Sequence, residues 1–278
     1  MKPILRQIAN LWTLIGCPST RQEWTLDEKL QAIREAGFDG VCWAPSDELT
    51  KGAERHGLIF VGGMAPSNFE ELALQLGGLK GSGAVQVNVQ LGTDAMLTGE
   101  ALPLCIALME QARSFGLQPV VETHRGTCTE TPEKMYALAD AYEEVTGERL
   151  PIAWDFSHFA VVKHLVPENF VGRLLVRHDL IRHAQHFHLR PFNGHHAQVP
   201  ITNGRGELTR EVIEWIPFAE ATLGCWLETN GESGREIFVC PELGPVEGGY
   251  ALSTFPNSWE EAKVLRGVID QIWKRLTA

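Results

Sequence analysis

The chain has 278 residues, enough for two small domains or for one α/β barrel, and its 44% hydrophobic and 21% charged residues are typical of a globular protein. Its formal net charge is −11, from 35 acidic and 24 basic residues, so its average field repels phosphate backbones and anionic lipid surfaces. Nucleic acid and membranes are therefore not expected as partners.

The cysteines and the amino terminus indicate a compartment. The six cysteines include no Cys-x-x-Cys pair, and most lie among apolar neighbours, as buried reduced thiols do. The first residues lack the apolar stretch and the small-residue cleavage site of a signal peptide, and no run approaches the length of a membrane span. We expect a cytoplasmic protein.

Short apolar runs alternate with amphipathic segments along the whole chain. Eight of these runs are often β-branched and are bounded by Gly, Pro or Ser, a pattern that predicts strands. They lie near residues 4–14, 38–43, 58–64, 84–91, 118–124, 150–156, 185–190 and 236–242.

Helix starts are recognisable between the runs. Three stretches have the spacing of a capping box, in which a hydroxyl caps the helix and a glutamate three residues later returns the bond: Thr25–Glu28, Ser67–Glu70 and Ser258–Glu261. Thr131 precedes a proline, which suits the first position of a helix. Eight strand–helix units without a linker or a composition break predict an α/β fold, a single (β/α)8 TIM barrel domain spanning residues 1–278.

The carboxyl ends of the last four predicted strands carry polar, chemically active residues. In a TIM barrel these ends and the loops after them form the site, and here they bring Glu122, Asp155, His188 and Glu242. Each residue alone has an ordinary structural explanation. Glu122 could pair with Arg125, Asp155 could cap a helix, and the other two could bond to neighbours. Four such residues at equivalent places around one rim are better explained by a shared metal ion.

Three carboxylates and one imidazole form an oxygen-rich ligand set with a formal charge of about −3. Such a set suits one divalent metal ion, with Mn²⁺ expected first and Mg²⁺, Co²⁺ or Zn²⁺ as alternatives. Because water or substrate oxygens must complete the coordination, the ion would be accessible to a substrate. It would make a C–H bond beside a carbonyl acidic enough for a carboxylate to remove the proton.

Four stretches carry a resemblance to a known family: ETHRG, DFSHF, FHL and PELGP, at the ends of the last four strands. They resemble the xylose isomerase-like TIM barrels, the sugar-phosphate isomerase/epimerase group that also includes ketose 3-epimerases, hydroxypyruvate isomerase, inosose dehydratase and endonuclease IV. The resemblance covers nearly the whole chain. It implies that the Glu, Asp, His and Glu residues are metal ligands and that Glu122 and Glu242 act as acid and base on opposite sides of the substrate.

Further residues near the strand ends are expected to contact the substrate. In the epimerase branch a histidine three residues beyond the aspartate and an arginine beyond the strand-seven histidine do so. This implies His158 and Arg190, although Arg190 lies closer to its histidine than in that branch. His124 shares the strand face of the first glutamate. Trp12 and Trp43, at the predicted ends of strands one and two, either wall the sugar or pack the top of the barrel.

These features predict a metal-dependent isomerase or epimerase of a small sugar, keto-sugar or related hydroxy-carbonyl compound, acting through a metal-stabilised enediolate. A dehydratase of the same fold shares the first step and then expels a hydroxyl, so both reactions stay open. A non-catalytic sugar-binding barrel would not need two opposed proton carriers. An enzyme like endonuclease IV would need metal ligands on strands two to four, where Trp43, Met64 and Leu91 stand instead.

The expected partner is a small-molecule carbohydrate. No glycine-rich phosphate loop stands out in the sequence. The sequence leaves open which sugar binds, whether it is phosphorylated and whether the chain forms a homo-oligomer.

Overall fold

Eight parallel strands close into one barrel in the computed structural model, which describes residues 1–245 and 255–278. The strands are β1 (Ile4–Asn10), β2 (Gly40–Trp43), β3 (Ile59–Met64), β4 (Gln86–Val89), β5 (Pro119–Glu122), β6 (Ile152–Trp154), β7 (His186–His188) and β8 (Glu236–Cys240). Each strand pairs with the next along the chain, and β8 pairs with β1. The predicted (β/α)8 architecture is therefore confirmed.

Helices follow the strands and form the outer layer. They are α1 (Leu26–Glu35), α2 (Asp47–Arg55), α3 (Phe69–Leu79), α4 (Thr98–Ser114), α5 (Pro132–Thr146), α6 (Phe156–Val162), α7 (Phe170–Leu174), α8 (His178–Arg182), α9 (Arg210–Asn230) and α10 (Ser258–Leu276). Short 3₁₀ turns at Leu11–Leu14 and Pro167–Asn169 and a hairpin of Pro18–Ser19 with Gln22–Glu23 are also present. None of the helices in the two described ranges has the length and apolar character needed to cross a bilayer.

The main core lies between the barrel and the helix layer. Leu30 and Ile33 of α1 are fully buried in it, as are Leu76 and Leu79 of α3. In each helix the two residues are three positions apart and lie on one face, which is the apolar spacing that sequence periodicity detects. The helices therefore dock with their charged faces outward and leave the strand ends to form the site.

Two predicted helix starts and the last predicted helix are confirmed. Thr25 and Glu28 form the full capping box of α1, with the glutamate bonded to the Thr25 N–H at 2.8 Å. Thr131 caps α5, and Pro132 occupies its first turn. The last helix, α10, has the predicted bounds.

Two other predicted capping residues are wrong by one position. Asn68 and not Ser67 caps α3, and Asn257 and not Ser258 caps α10. An asparagine oxygen is as good a cap as a serine hydroxyl, so an asparagine next to the predicted serine can take the capping position. Asn68 directly follows Ser67, and Asn257 directly precedes Ser258. The released hydroxyl of Ser258 donates instead to the carbonyl oxygen of Thr13 at 2.9 Å.

The first predicted strand is too long. β1 ends at Asn10, whose side-chain oxygen accepts the Trp12 N–H at 3.0 Å and caps the 3₁₀ turn that follows. Trp12 therefore lies in a turn beyond the strand and not at the strand end. Apolar residues alone do not distinguish a strand from a buried turn, because both exclude polar side chains.

The long loop between β7 and α9 is fastened at two points. Glu261 of α10 is buried, and its carboxylate accepts the Thr202 N–H at 2.7 Å, which replaces its predicted role in a capping box. Gln198 exchanges two hydrogen bonds with the backbone of Gly244, at 2.9 and 2.7 Å. Gly244 is two residues beyond Glu242, so this loop holds the chain segment that carries a candidate ligand.

A substitution at Gly40, the first residue of β2, would test the packing of the barrel. A Cβ atom there would lie 2.5 Å from the backbone oxygen of Ile59 and 2.9 Å from Ile8 Cδ1. We expect Gly40→Ala to lower the free energy of unfolding by about 1–3 kcal/mol, the usual range for overpacking, in urea denaturation. Gly77→Ala in α3 is the control, because its Cβ meets open space and alanine favours a helix over glycine. Equal losses in both variants would contradict this packing.

Candidate metal centre

Four side chains from four consecutive strands converge at the carboxyl end of the barrel. Glu122 ends β5, His188 ends β7, Asp155 directly follows β6, and Glu242 lies two residues beyond β8. One ligand atom from each lies within 4.8 Å of the others, and all four residues are buried. The placement follows from the sequence, because each apolar strand stops at, or just before, its polar residue.

The imidazole of His188 lies close to both glutamates. Its Nδ1 is 3.1 Å from Glu242 Oε2 and 3.4 Å from Glu122 Oε1. Burial disfavours the imidazolium, but the carboxylates of Glu122 and Glu242 outweigh it and raise the pKa of His188 to about 9. Burial alone would raise the pKa of Glu242, yet His188 and Arg190 lower it by favouring the carboxylate.

Arg190, two residues beyond His188, is 1% exposed and contacts the ligand set directly. Its Nη2 donates to Asp155 Oδ2, and its Nε donates to Ser157 Oγ at 3.1 Å. Its Nη1 is 3.5 Å from Glu242 Oε2. The family resemblance implies substrate contact for this arginine, whereas the structure places it against two carboxylates. Three carboxylates and one guanidinium leave a formal charge of −2 at the cluster.

Both carboxylate oxygens of Asp155 are engaged. Oδ1 accepts the Ser157 N–H at 2.9 Å and the Ser157 hydroxyl at 2.5 Å, and so caps α6. Burial alone would raise the pKa of Asp155, but Arg190 and His158 lower it. The helix-cap explanation of Asp155 is thus correct and also compatible with a ligand role, because the cap fixes the carboxylate at the cluster.

Two histidines adjoin the cluster. His158 Nε2 is 3.4 Å from Asp155 Oδ2, and its ring meets the His124 ring edge-on with centroids 4.4 Å apart. Burial lowers the pKa of His158 well below its usual value. His124 is half-buried, and its Nδ1 lies 2.6 Å from the carbonyl oxygen of Arg125. The structure thus brings His158 into the cluster and His124 next to it.

The salt-bridge explanation of Glu122 does not hold. Its Oε2 accepts a hydrogen bond from Asn88 at 2.7 Å, and its Oε1 is near His188. Within the described chain, no ion pair joins Glu122 to Arg125, whose side chain is exposed. The carboxylate is therefore directed into the cluster.

Two asparagines hold the glutamates, a role that sequence reasoning missed. Asn10 Nδ2 donates to Glu242 Oε1 at 2.6 Å, and Asn88 Nδ2 donates to Glu122 Oε2 at 2.7 Å. Barrel closure explains the symmetry, because β1 adjoins β8 and β4 adjoins β5. The sequence did contain a signal for this role, because Asn10 and Asn88 lie near the carboxyl ends of the strands that neighbour β8 and β5.

A cavity of about 400 Å³ opens beside the two asparagines, at the ends of β1 to β4. Trp43 lines this cavity and is 40% exposed, as a wall of a sugar site would be. The Trp12 ring packs against Gly244, where an added Cβ would lie 2.2 Å from the ring. The two tryptophans therefore differ, since Trp43 faces the cavity and Trp12 covers the backbone beyond β8.

The cluster fits a divalent cation. Glu122 Oε1 is buried and has no hydrogen-bond partner in the described part of the chain, which is unfavourable for a charged oxygen. The four donors suit Mn²⁺, Mg²⁺, Co²⁺ and Zn²⁺, and the formal charge of −2 matches one such ion. Glu122, Asp155, His188 and Glu242 would hold it.

A closed eight-stranded parallel barrel with a buried Glu, Asp, His and Glu at its carboxyl end defines the class as a TIM barrel with a candidate metal centre. No known family model and no curated protein sequence matches the chain. Solved structures do match it, and they are xylose isomerase-like TIM barrels. The fold that the sequence resemblance implied is therefore confirmed.

Three of these structures span nearly the whole chain. An L-ribulose 3-epimerase matches with a TM-score of 0.65 and 14% identity, over 98% of this chain and 96% of that chain. A xylose isomerase-like TIM barrel protein from Mycobacterium smegmatis, in complex with magnesium, matches with a TM-score of 0.60 and 16% identity, over 100% of this chain and 98% of that chain. The probable 3-DHS dehydratase AsbF from Bacillus anthracis matches with a TM-score of 0.58 and 14% identity, over 94% of this chain and 98% of that chain. At these identities the likeness shows the fold.

Removing single ligands tests the centre. Glu122→Gln and Asp155→Asn should each weaken Mn²⁺ binding by at least about a hundredfold, since losing a group that merely orients a ligand already costs about 10–100-fold. Isothermal titration measures the affinity. Glu236→Gln, at the opposite end of β8, is the control and should bind Mn²⁺ like the wild type. Wild-type affinity in the first two variants would show that these carboxylates do not hold the ion.

Metal binding should release a proton. The pKa of His188 is raised to about 9, so at lower pH a metal must displace the imidazole proton. The apparent Mn²⁺ affinity should therefore rise about tenfold per pH unit from about pH 6 and level off above about pH 9. Titrations in buffers of different ionisation heat count the protons released. An affinity independent of pH would contradict the raised pKa.

Proposed function

We propose that the chain is a metal-dependent isomerase or epimerase of a small sugar, keto-sugar or related hydroxy-carbonyl compound. The observation that carries the proposal is the pair of buried glutamates, each held by an asparagine and both beside the cavity. Binding alone would need oxygens but not two fixed proton carriers. An ion bound at the cluster would polarise a carbonyl and stabilise the charge that develops on proton removal.

Glu122 and Glu242 supply the proton transfer in this proposal. They come from β5 and β8, the two ends of the run of ligand-bearing strands, so they approach a bound substrate from different sides. One carboxylate removes the proton beside the carbonyl. The other delivers a proton to the opposite face of that carbon, as in an epimerase, or to the adjacent carbon, as in an isomerase. Asn10 and Asn88 hold both carboxylates in place before substrate binds.

The remaining candidate residues divide between substrate contact and support. We assign His158, His124 and Trp43 to substrate contact, because they lie beside the cluster or line the cavity. Arg190 offsets the charge of the carboxylates and holds Asp155 through its guanidinium. Its contact with a substrate would be made from that fixed position.

A dehydratase is the second candidate. It would use the same metal and the same proton abstraction and would then expel a hydroxyl group. The fold is shared by a structure named as an L-ribulose 3-epimerase and by one named as a probable 3-DHS dehydratase. By these names, the fold is compatible with both reactions. An enzyme like endonuclease IV would need further metal ligands. Within the described residues, the metal-type side chains converge in one group of three or more, which is Glu122, Asp155, His188 and Glu242.

Deuterium wash-in tests the function. The protein with Mn²⁺ is incubated in heavy water with D-fructose, D-tagatose and D-allulose, and NMR follows deuterium at the carbon beside the carbonyl. We expect exchange with at least one ketose. Glu122→Gln and Glu242→Gln should each slow it by about 10²–10⁴-fold, the usual contribution of a positioned acid or base, while Glu236→Gln should not.

The products separate the two candidate reactions. A new epimer or isomer indicates the first function, and loss of water from the sugar indicates the dehydratase. Absence of exchange across the panel, with metal bound at full occupancy, would count against both and favour a non-catalytic sugar-binding barrel.

A further inference from the structure

The cavity beside the candidate metal centre is lined by uncharged residues. Its polar groups are four side-chain amides, those of Asn10, Gln75, Asn88 and Gln90, and Trp43 contributes an exposed ring. The other residues that line it, within the described chain, are apolar side chains, Cys42 and glycines. A ligand group in this cavity would therefore meet hydrogen-bonding dipoles and no formal charge.

Within the described residues, no Lys, Arg or His side chain lines the cavity. Three lysines border the adjoining grooves, and one of them, Lys80, lies 5.1 Å from the centre of the Phe115 ring. Lys29 borders an adjoining groove that shares Trp43, and it pairs with Glu23. Lys51 borders another groove and lies 3.3 Å from Asp47. A phosphate group in the cavity would lose water without gaining a cation, and burying an unpaired charge is strongly unfavourable.

The amides differ in what they can still bind. Asn10 uses both ends, because Nδ2 donates to Glu242 and Oδ1 accepts the Trp12 N–H. Asn88 donates to Glu122 through Nδ2, which leaves Oδ1 as an acceptor. That oxygen is buried and has no hydrogen-bond partner in the described part of the chain, although Asn88 lines the cavity. A buried acceptor of this kind is able to take a donor from a bound molecule.

Gln75 supplies the complementary group. Its Oε1 accepts the Ala65 N–H at 2.8 Å, so its NH₂ group is the end that can donate to a ligand. One acceptor and one donor on the cavity wall match hydroxyl groups, which both donate and accept. They match neither a carboxylate nor a phosphate, which would only accept.

We infer that this cavity binds the non-reacting end of an unphosphorylated polyhydroxy ketone, with Asn88 Oδ1 accepting a hydrogen bond from one of its hydroxyl groups. The inference rests on the proposed function and narrows its substrate to uncharged sugars. Asn88 then links recognition to chemistry, because the same side chain touches the substrate hydroxyl and Glu122.

The first experiment compares free ketoses with their phosphate esters. Wild-type protein with Mn²⁺ is assayed for deuterium exchange with D-fructose and D-tagatose and with the 6-phosphate of each, which carries its charge at the non-reacting end. We expect kcat/KM for the better free sugar to exceed that for its ester by at least about a hundredfold, since the ester must bury a charge without a cation. An ester that equals or exceeds its free ketose overturns the inference and leaves the proposed function standing. Absence of exchange with every compound overturns both.

The second experiment combines a variant with a modified substrate. Removing from the best ketose the hydroxyl that meets Asn88 should lower kcat/KM of the wild type by about tenfold, the worth of one hydrogen bond. A series of single-deoxy ketoses identifies that hydroxyl. In Asn88→Ala the same deoxy compound should lose nothing further, because the acceptor is gone.

Asn10→Ala is the matched control for this cycle. This variant also removes the hydrogen-bond partner of a glutamate, but the Asn10 oxygen already accepts the Trp12 N–H and is not expected to bind the substrate. The loss of kcat/KM caused by each deoxy ketose should therefore stay at its wild-type value. Asn88→Val, closer in volume and suited to a strand, replaces Asn88→Ala if metal content or circular dichroism shows that the alanine variant is misfolded. Unchanged deoxy penalties in a folded Asn88 variant would overturn the role of Asn88.

Discussion

Three carboxylates are buried together at the carboxyl ends of β5, β6 and β8, and their mutual repulsion in a poorly solvated place is the constraint on which the site depends. Within the chain, Arg190 and a protonated His188 oppose that repulsion. The formal charge is then −1; a divalent ion would replace the imidazole proton, which leaves −2 on the side chains, and would bring the total to zero. The helix cap at Asp155 and the amides on Glu122 and Glu242 then fix the oxygens where such an ion needs them.

The mouth of the barrel has two unlike halves. The ends of β5 to β8 carry the carboxylates and the imidazole, whereas the ends of β1 to β4 carry amides, apolar groups and Trp43 around the cavity. Closure of the barrel brings these halves together at two seams, and at each seam an asparagine of the uncharged half bonds to a glutamate of the charged half. In the function proposed above, proton transfer belongs to the charged half, and the uncharged half holds the non-reacting end of the substrate.

Sequence reasoning succeeded where a local rule acts. Strand periodicity and turn residues predicted eight strands, and the carboxyl-end rule for barrels selected Glu122, Asp155, His188 and Glu242, which the structure brings within 4.8 Å. It failed where two local solutions compete at similar free energy. Asn257 replaced the neighbouring hydroxyl as a helix cap, and the apolar run of β1 continued into a turn.

The sequence by itself determined the barrel and the residues that stand at its strand ends, because alternation and strand-end position are properties of neighbouring residues. The tertiary structure alone decided the partners. Arg190 lies against Asp155, Asn10 against Glu242 and the Trp12 ring against Gly244. Each of these contacts joins elements far apart in the chain, and their distances follow from barrel closure and side-chain packing, which no spacing along the sequence records.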